Sequence, residues 1–146
     1  VPLDGTQAHD GAVLPVVEAV ATACESSIHL MIAVPTLGTV SGNQAAVARL
    51  TPSATAAALE MEQEEARTYL ESVANRMRSG RLSVTVEVRR GDPAACVVSA
   101  AESTKADLIV MSTHARAGLD ALWSASVGSK ILSRIQQPLL LVQATD

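Results

Sequence analysis

Ser112, Thr113, His114 and Arg116, with Ser126 and Lys130 a short way downstream, place hydroxyls, an imidazole and two cations in one stretch of the chain. Such a set suits an anion. Hydroxyls and backbone N–H groups donate to its oxygens, and a guanidinium grips two of them at once. The stretch around them reads as strand, loop, helix, strand. Leu108 to Met111 is an apolar run, Val127, Ile131, Leu132 and Ile135 recur at helical spacing, and Pro138 to Val142 is a second apolar run. A loop that feeds a helix start is where an α/β protein holds anionic groups, because the first N–H groups point outward and the helix dipole favours negative charge. Arg116 and Lys130 also read as ordinary solvated charges, and Thr113 and Ser126 as turn or helix caps. His114 has no Ser, Cys or acid at motif spacing, so the favoured reading is a loop histidine that holds backbone groups rather than a catalytic base. His9 and His29 form no metal-ligand pattern.

Composition narrows the classes. The 146 residues fit one domain, and a 48% hydrophobic content allows a core on both sides of a sheet. No apolar run approaches the roughly 20 residues that cross a bilayer, and no secretory leader pattern opens the chain. A net charge of −4, no Phe, one Trp and one Tyr argue against nucleic acid as a partner. Cys24 and Cys96 make neither a CxxC nor a metal pair and read as buried reduced thiols in helices, which points to the cytoplasm.

The elements follow from periodicity. Val1-Pro2 reads as the end of a strand and Asp4-Gly5-Thr6 as a turn, so the expectation is a single domain over 1–146 whose first strand is cut at its start, the natural chain extending upstream by a few residues or another domain. A helix is expected from Asp10 to Glu25 with Val13, Val16, Val17 and Val20 inward, then a buried strand Ile28 to Val34. Pro35 to Pro52 is a long polar connection with room for a helical turn at 45–48. The next helix is expected from a cap at Ser53 or Thr55 to about Met77, its early glutamates, Glu60 to Glu65, suiting the dipole. Leu82, Val84, Val86 and Val88 alternate with polar residues, as in a strand at an edge or with one face less covered, and Asp92-Pro93 caps a helix that runs to about Lys105. Strand–helix repeated four times, plus a last strand, implies a mostly parallel sheet with helices on both faces.

The anchors Asp107 to Met111 (DLIVM), His114 and Pro138-Leu139-Leu140-Leu141-Val142, with the opening Val1-Pro2-Leu3-Asp4-Gly5-Thr6, resemble the universal stress protein family over nearly the whole chain. Its nucleotide-binding members carry a G-x2-G-x9-G-S/T signature after the fourth strand. Here Ser112, Ala115 and Ala125 stand in the three glycine positions, and Ser126 matches the last. A register three residues later, through Ala115, Gly118, Gly128 and Ser129, keeps two glycines but displaces both anchors and puts Gly128 inside a helix, so the first register is retained.

The resemblance implies an open, mostly parallel five-stranded α/β sheet of strand order 3-2-1-4-5, Rossmann-like and adenine nucleotide alpha hydrolase-like. It also implies a ligand at the switch point between the first and fourth strands. Pro2, Asp4 and backbone near Ala33 would then hold adenine and ribose. Met111, Ser112, His114, Ala115 and Arg116, with the helix start Ala125-Ser126-Val127, would hold phosphates of ATP or AMP, with Mg. Each lost glycine adds a Cβ, and a positive φ there would cost about 1 kcal/mol. The functional expectation is therefore a dimeric stress-response module with weak or lost ATP binding, paired through its final strand. An adenine-nucleotide sensor is the alternative, and a nucleotide hydrolase, for which no general base or metal set is visible, the third reading.

Overall fold

The computed structural model describes residues 1–40, 43–114 and 127–144. Along the chain come β1 (Pro2–Leu3), α1 (Gln7–Ala23), β2 (Ile28–Val34), α2 (Asn43–Leu50), α3 (Pro52–Ser79), β3 (Val84–Arg90), α4 (Pro93–Ser103), β4 (Ile109–His114), α5 (Val127–Leu132) and β5 (Leu139–Ala144). All pairings are parallel, as alternation of strand and helix demands.

The expected single five-stranded sheet is not what forms. Hydrogen bonding gives a three-stranded sheet, β1-β2-β3, and a separate pair, β4-β5. β1 touches β4 but makes no ladder with it. The cause is local: β1 has two residues, Pro2 has no N–H to give, and the neighbouring backbone is committed to β2, with Val1 N donating to His29 O at 2.8 Å and Met31 N to Val1 O at 3.0 Å.

Period-2 alternation splits the core into two layers. Leu30, Ile32 and Val34 of β2 face α1 and α3, where Val13, Val17, Leu70, Val73 and Met77 are buried with them. Met31 faces the other way, against Val97 and Ala100 of α4, Ile109 of β4 and Ile131 of α5. Helices thus cover both faces. No helix among the described residues is long and apolar enough to cross a membrane.

Several boundaries differ from expectation. α1 begins earlier, and its buried stripe is Asp10, Val13, Leu14, Val17 and Ala21, with Val16 and Val20 only half-buried. The helix stops at Ala23 because Glu25 takes a positive φ of 50° and Ser26 N bonds back to Ala21 O at 2.9 Å, a left-handed cap. Cys24, expected inside, is therefore an exposed helix cap, whereas Cys96 is buried. The turn at 45–48 extends to a helix of 8 residues, α2. α3 starts at Pro52, so no acid lies in its first turn and Glu60 to Glu65 are too far along to act on its dipole. β3 starts two positions after Leu82, and Arg78 clamps that start from α3, donating Nε and Nη2 to Val84 O at 3.0 and 2.8 Å.

Candidate functional site

β1 delivers the chain to a turn in which Gly5 adopts a φ of 79°, a conformation that aims its N–H back into the protein. The acceptor is Asp10. Its Oδ2 receives Gly5 N at 3.1 Å and its Oδ1 receives Asp4 N at 3.3 Å. Tyr69 reaches across from α3 and donates its hydroxyl to Oδ2 at 2.7 Å. Only 1% of Asp10 is exposed, and it is the single buried polar or charged residue among those described. Burial pushes its carboxyl above the ordinary value, and the bonds from Tyr69 and the two backbone groups oppose that shift without cancelling it. The Tyr69 hydroxyl is pushed up as well, by burial and by the Asp10 charge it faces.

Asp4 shows the opposite balance. Partial burial works to raise its carboxyl, but hydrogen bonds from Thr6 and His9 prevail and hold it below the usual range. Thr6 N and Thr6 Oγ1 both donate to Asp4 Oδ1, at 2.8 and 2.7 Å, and His9 Nδ1 meets Oδ2. A carboxylate offers about four lone-pair sites. Three are used here, so Oδ2 keeps one for a further donor, and Asp4 is half exposed, at 47%.

Across from this turn, β4 runs further than the sequence suggests. Ser112, Thr113 and His114 are strand residues, registered with Val142, Gln143 and Ala144 of β5, and not members of a loop. Ser112 is half-buried and has no positive φ. Its side chain therefore adds a Cβ to the glycine position without adding strain, a correction to the expected cost. Met111 and Ala33 both pack into the layer under α4, and Ala33 is registered with Arg89 of β3. Their side chains line the core. Both are half-buried there.

The structure thus brings β1, which leads into the Asp4 turn, beside β4. Ala115, Arg116, Ala125 and Ser126 lie outside the described residues. Val127 opens α5, Gly128 is buried in its first turn, and Lys130 is exposed. Asp10 and Tyr69 were missed as parts of this site. The signal was present in one respect: Asp10 stands in phase with Val13, Leu14 and Val17 on the buried stripe of its helix, where an acid needs partners.

Comparison with known proteins finds the same overall fold in solved structures. The universal stress protein Sll1388 of Synechocystis sp. is 29% identical over 85 residues, a match that spans 58% of this chain and 55% of that relative, about half its length. Among solved structures, the hypothetical protein MJ0577, described as a test case of structural genomics, is 19% identical with a TM-score of 0.75, over 99% of this chain and 94% of that one. A universal stress protein in complex with cAMP is 18% identical with a TM-score of 0.65, with the same two coverages of 99% and 94%. A model of the universal stress protein family matches residues 1–143, and the chain belongs to that family.

Proposed function

We propose that this is a regulatory stress-response domain whose switch point accepts an adenine nucleotide but holds its phosphates weakly. The observation that carries the reading is an asymmetry within the site. The Asp4 turn is fully braced, by Asp10, Tyr69, Thr6 and His9, while Ser112, Ala115 and Ala125 occupy the glycine positions of the phosphate signature. A similar structure carries cAMP, which supports adenine and ribose recognition on this fold. Asp4, with backbone of Pro2 and Ala33, would hold the nucleoside, and the Ser112 backbone with Ser126 and Arg116 would supply the phosphate contacts that remain. Where a phosphate oxygen must approach backbone N–H groups, each added Cβ obstructs it.

Calorimetric titration with Mg-ATP and with AMP tests this. Wild-type protein is expected to bind ATP weakly or not measurably, and Ser112, Ala115 and Ala125 changed together to glycine should bind it at least tenfold more tightly. A micromolar or tighter wild-type constant for Mg-ATP would establish the competent sensor instead. Ser126→Ala and Arg116→Ala should each weaken whatever phosphate binding exists by about 1–3 kcal/mol.

The module would act as a twofold dimer through β5. That strand pairs only with β4 among the described strands, so its outer edge offers a row of backbone groups, and Leu140 is 36% exposed on it. Lys at Leu140 or Pro at Leu141 is expected to shift the protein toward monomer in light scattering. A wild-type monomer at tens of micromolar would defeat the dimer.

A further inference from the structure

The carboxylate of Asp4 is capped by its own turn. Its Oδ1 accepts twice from Thr6, from the backbone N at 2.8 Å and from Oγ1 at 2.7 Å, while its Oδ2 faces His9 Nδ1. The proton of that last contact can be placed. A threonine hydroxyl carries one hydrogen, and Thr6 spends it on Oδ1. The His9 Nδ1, which lies 2.9 Å from Thr6 Oγ1 and against Asp4 Oδ2, is therefore the donor toward both. Backbone donors of the turn are taken as well: those of Asp4 and Gly5 go to Asp10 at 3.3 and 3.1 Å, and that of Thr6 goes to Asp4. A bare carboxylate can take the two hydroxyls of a ribose side by side, one on each oxygen, as it takes the two N–H groups of a guanidinium. Here Oδ1 is full. A single acceptor position is left, on Oδ2.

We propose that Thr6 and His9 are specificity-determining residues of the nucleotide site, which together restrict Asp4 to one ribose hydroxyl in place of the vicinal pair. The proposal rests on the reading of Asp4 as the nucleoside contact and deepens it. Its ligand class is an adenine nucleoside or nucleotide with one ribose hydroxyl free, the other open to esterification without loss. A site that hydrogen-bonds a hydroxyl rejects the analogue lacking it, because the acceptor is then stranded, whereas a hydroxyl that meets no acceptor is not read. Removing the Thr6 hydroxyl reopens one position on Oδ1 and creates the two-oxygen fork. Removing the His9 ring reopens the second position on Oδ2.

The test is a chemical-shift titration of the protein with adenosine, 2′-deoxyadenosine and 3′-deoxyadenosine. For wild type, one deoxynucleoside is expected to bind about tenfold or more weakly than adenosine, and the other within about twofold of it. In Thr6→Val and in His9→Ala the second deoxynucleoside should also fall behind adenosine, by about fivefold or more, and Thr6→Ser, which returns the hydroxyl, should restore the one-hydroxyl pattern. A wild type that loses affinity for both deoxynucleosides would overturn the proposal, as would an unchanged pattern in both Thr6→Val and His9→Ala. Equal binding of all three nucleosides would overturn it too, by removing Asp4 from the sugar while adenine recognition stands. Adenosine that binds neither wild type nor variants would end the nucleotide reading itself, and this proposal with it.

Discussion

The turn after β1 and the polar chain beneath α4 are both built around a histidine that meets a carboxylate, yet they do different work. Around the turn, Asp10 receives two backbone N–H groups and one hydroxyl in a buried setting, so the carboxylate holds main chain in position at the carboxyl end of a strand. Beneath α4 the bonds run from side chain to side chain. His29 meets Thr85 at 2.8 Å and Glu87 at 3.1 Å, Glu87 accepts from Arg89 Nε at 2.8 Å, and Arg89 donates to Ser99 and Ser103 at 2.6 and 2.8 Å. This second chain ties β3 to α4 and leaves the backbone free to follow the sheet. A buried acceptor of main-chain donors cannot be removed without stranding them, whereas a side-chain relay at a sheet edge can fall back on water.

The largest effect is therefore expected at Asp10. Asp10→Ala should cost about 2–4 kcal/mol in denaturant unfolding, since two N–H groups and a hydroxyl lose their acceptor together, and Tyr69→Phe about 1–2 kcal/mol. A loss below about 1 kcal/mol for Asp10→Ala would place the turn in the same class as the sheet-edge relay. Arg89→Ala comes next, at about 1–2 kcal/mol for its bonds to Glu87 and the two serines. Unfolding midpoints of both variants in one urea series would rank the regions directly.

The two acids of the turn should separate by pH. Asp10 is raised, so the stability it contributes is complete below the ordinary Asp value and is lost as pH rises through its shifted one. Asp4 is lowered, so its contribution is present above the ordinary value and is lost as pH falls through the shifted one. Above the ordinary Asp value Asp10→Asn should gain on wild type as pH rises, and below that value Asp4→Asn should lose its deficit to wild type as pH falls. Parallel trends in thermal scans would contradict the assigned shifts. The smallest effect is expected for Glu71→Gln, which breaks the exposed pair with Arg78 at 3.1 Å and should move stability by less than about 0.5 kcal/mol.

What was legible in the sequence was whatever depends on neighbours along the chain. Ile28 to Val34 is apolar at every position but His29 and forms β2 over those same residues, because burial on both faces favours apolar side chains along its length. Asp92-Pro93 announces α4, and Asp92 Oδ2 does accept from Ala95 N at 3.1 Å, a contact that needs only one helical turn. The family was legible too, from the anchors on either side of the altered loop.

Tertiary structure decided the rest. Ser112 to His114 became strand because β5 supplies the ladder partners Val142 to Ala144, and small polar residues do not advertise a partner that lies far along the chain. Asp10 and Tyr69 meet from positions 59 residues apart, and no local pattern encodes that distance. The pairing of β1 with β2 and not with β4 was also settled in space. A two-residue strand that begins with proline has few groups to share, and the Val1 N–H and C=O are bonded across to β2.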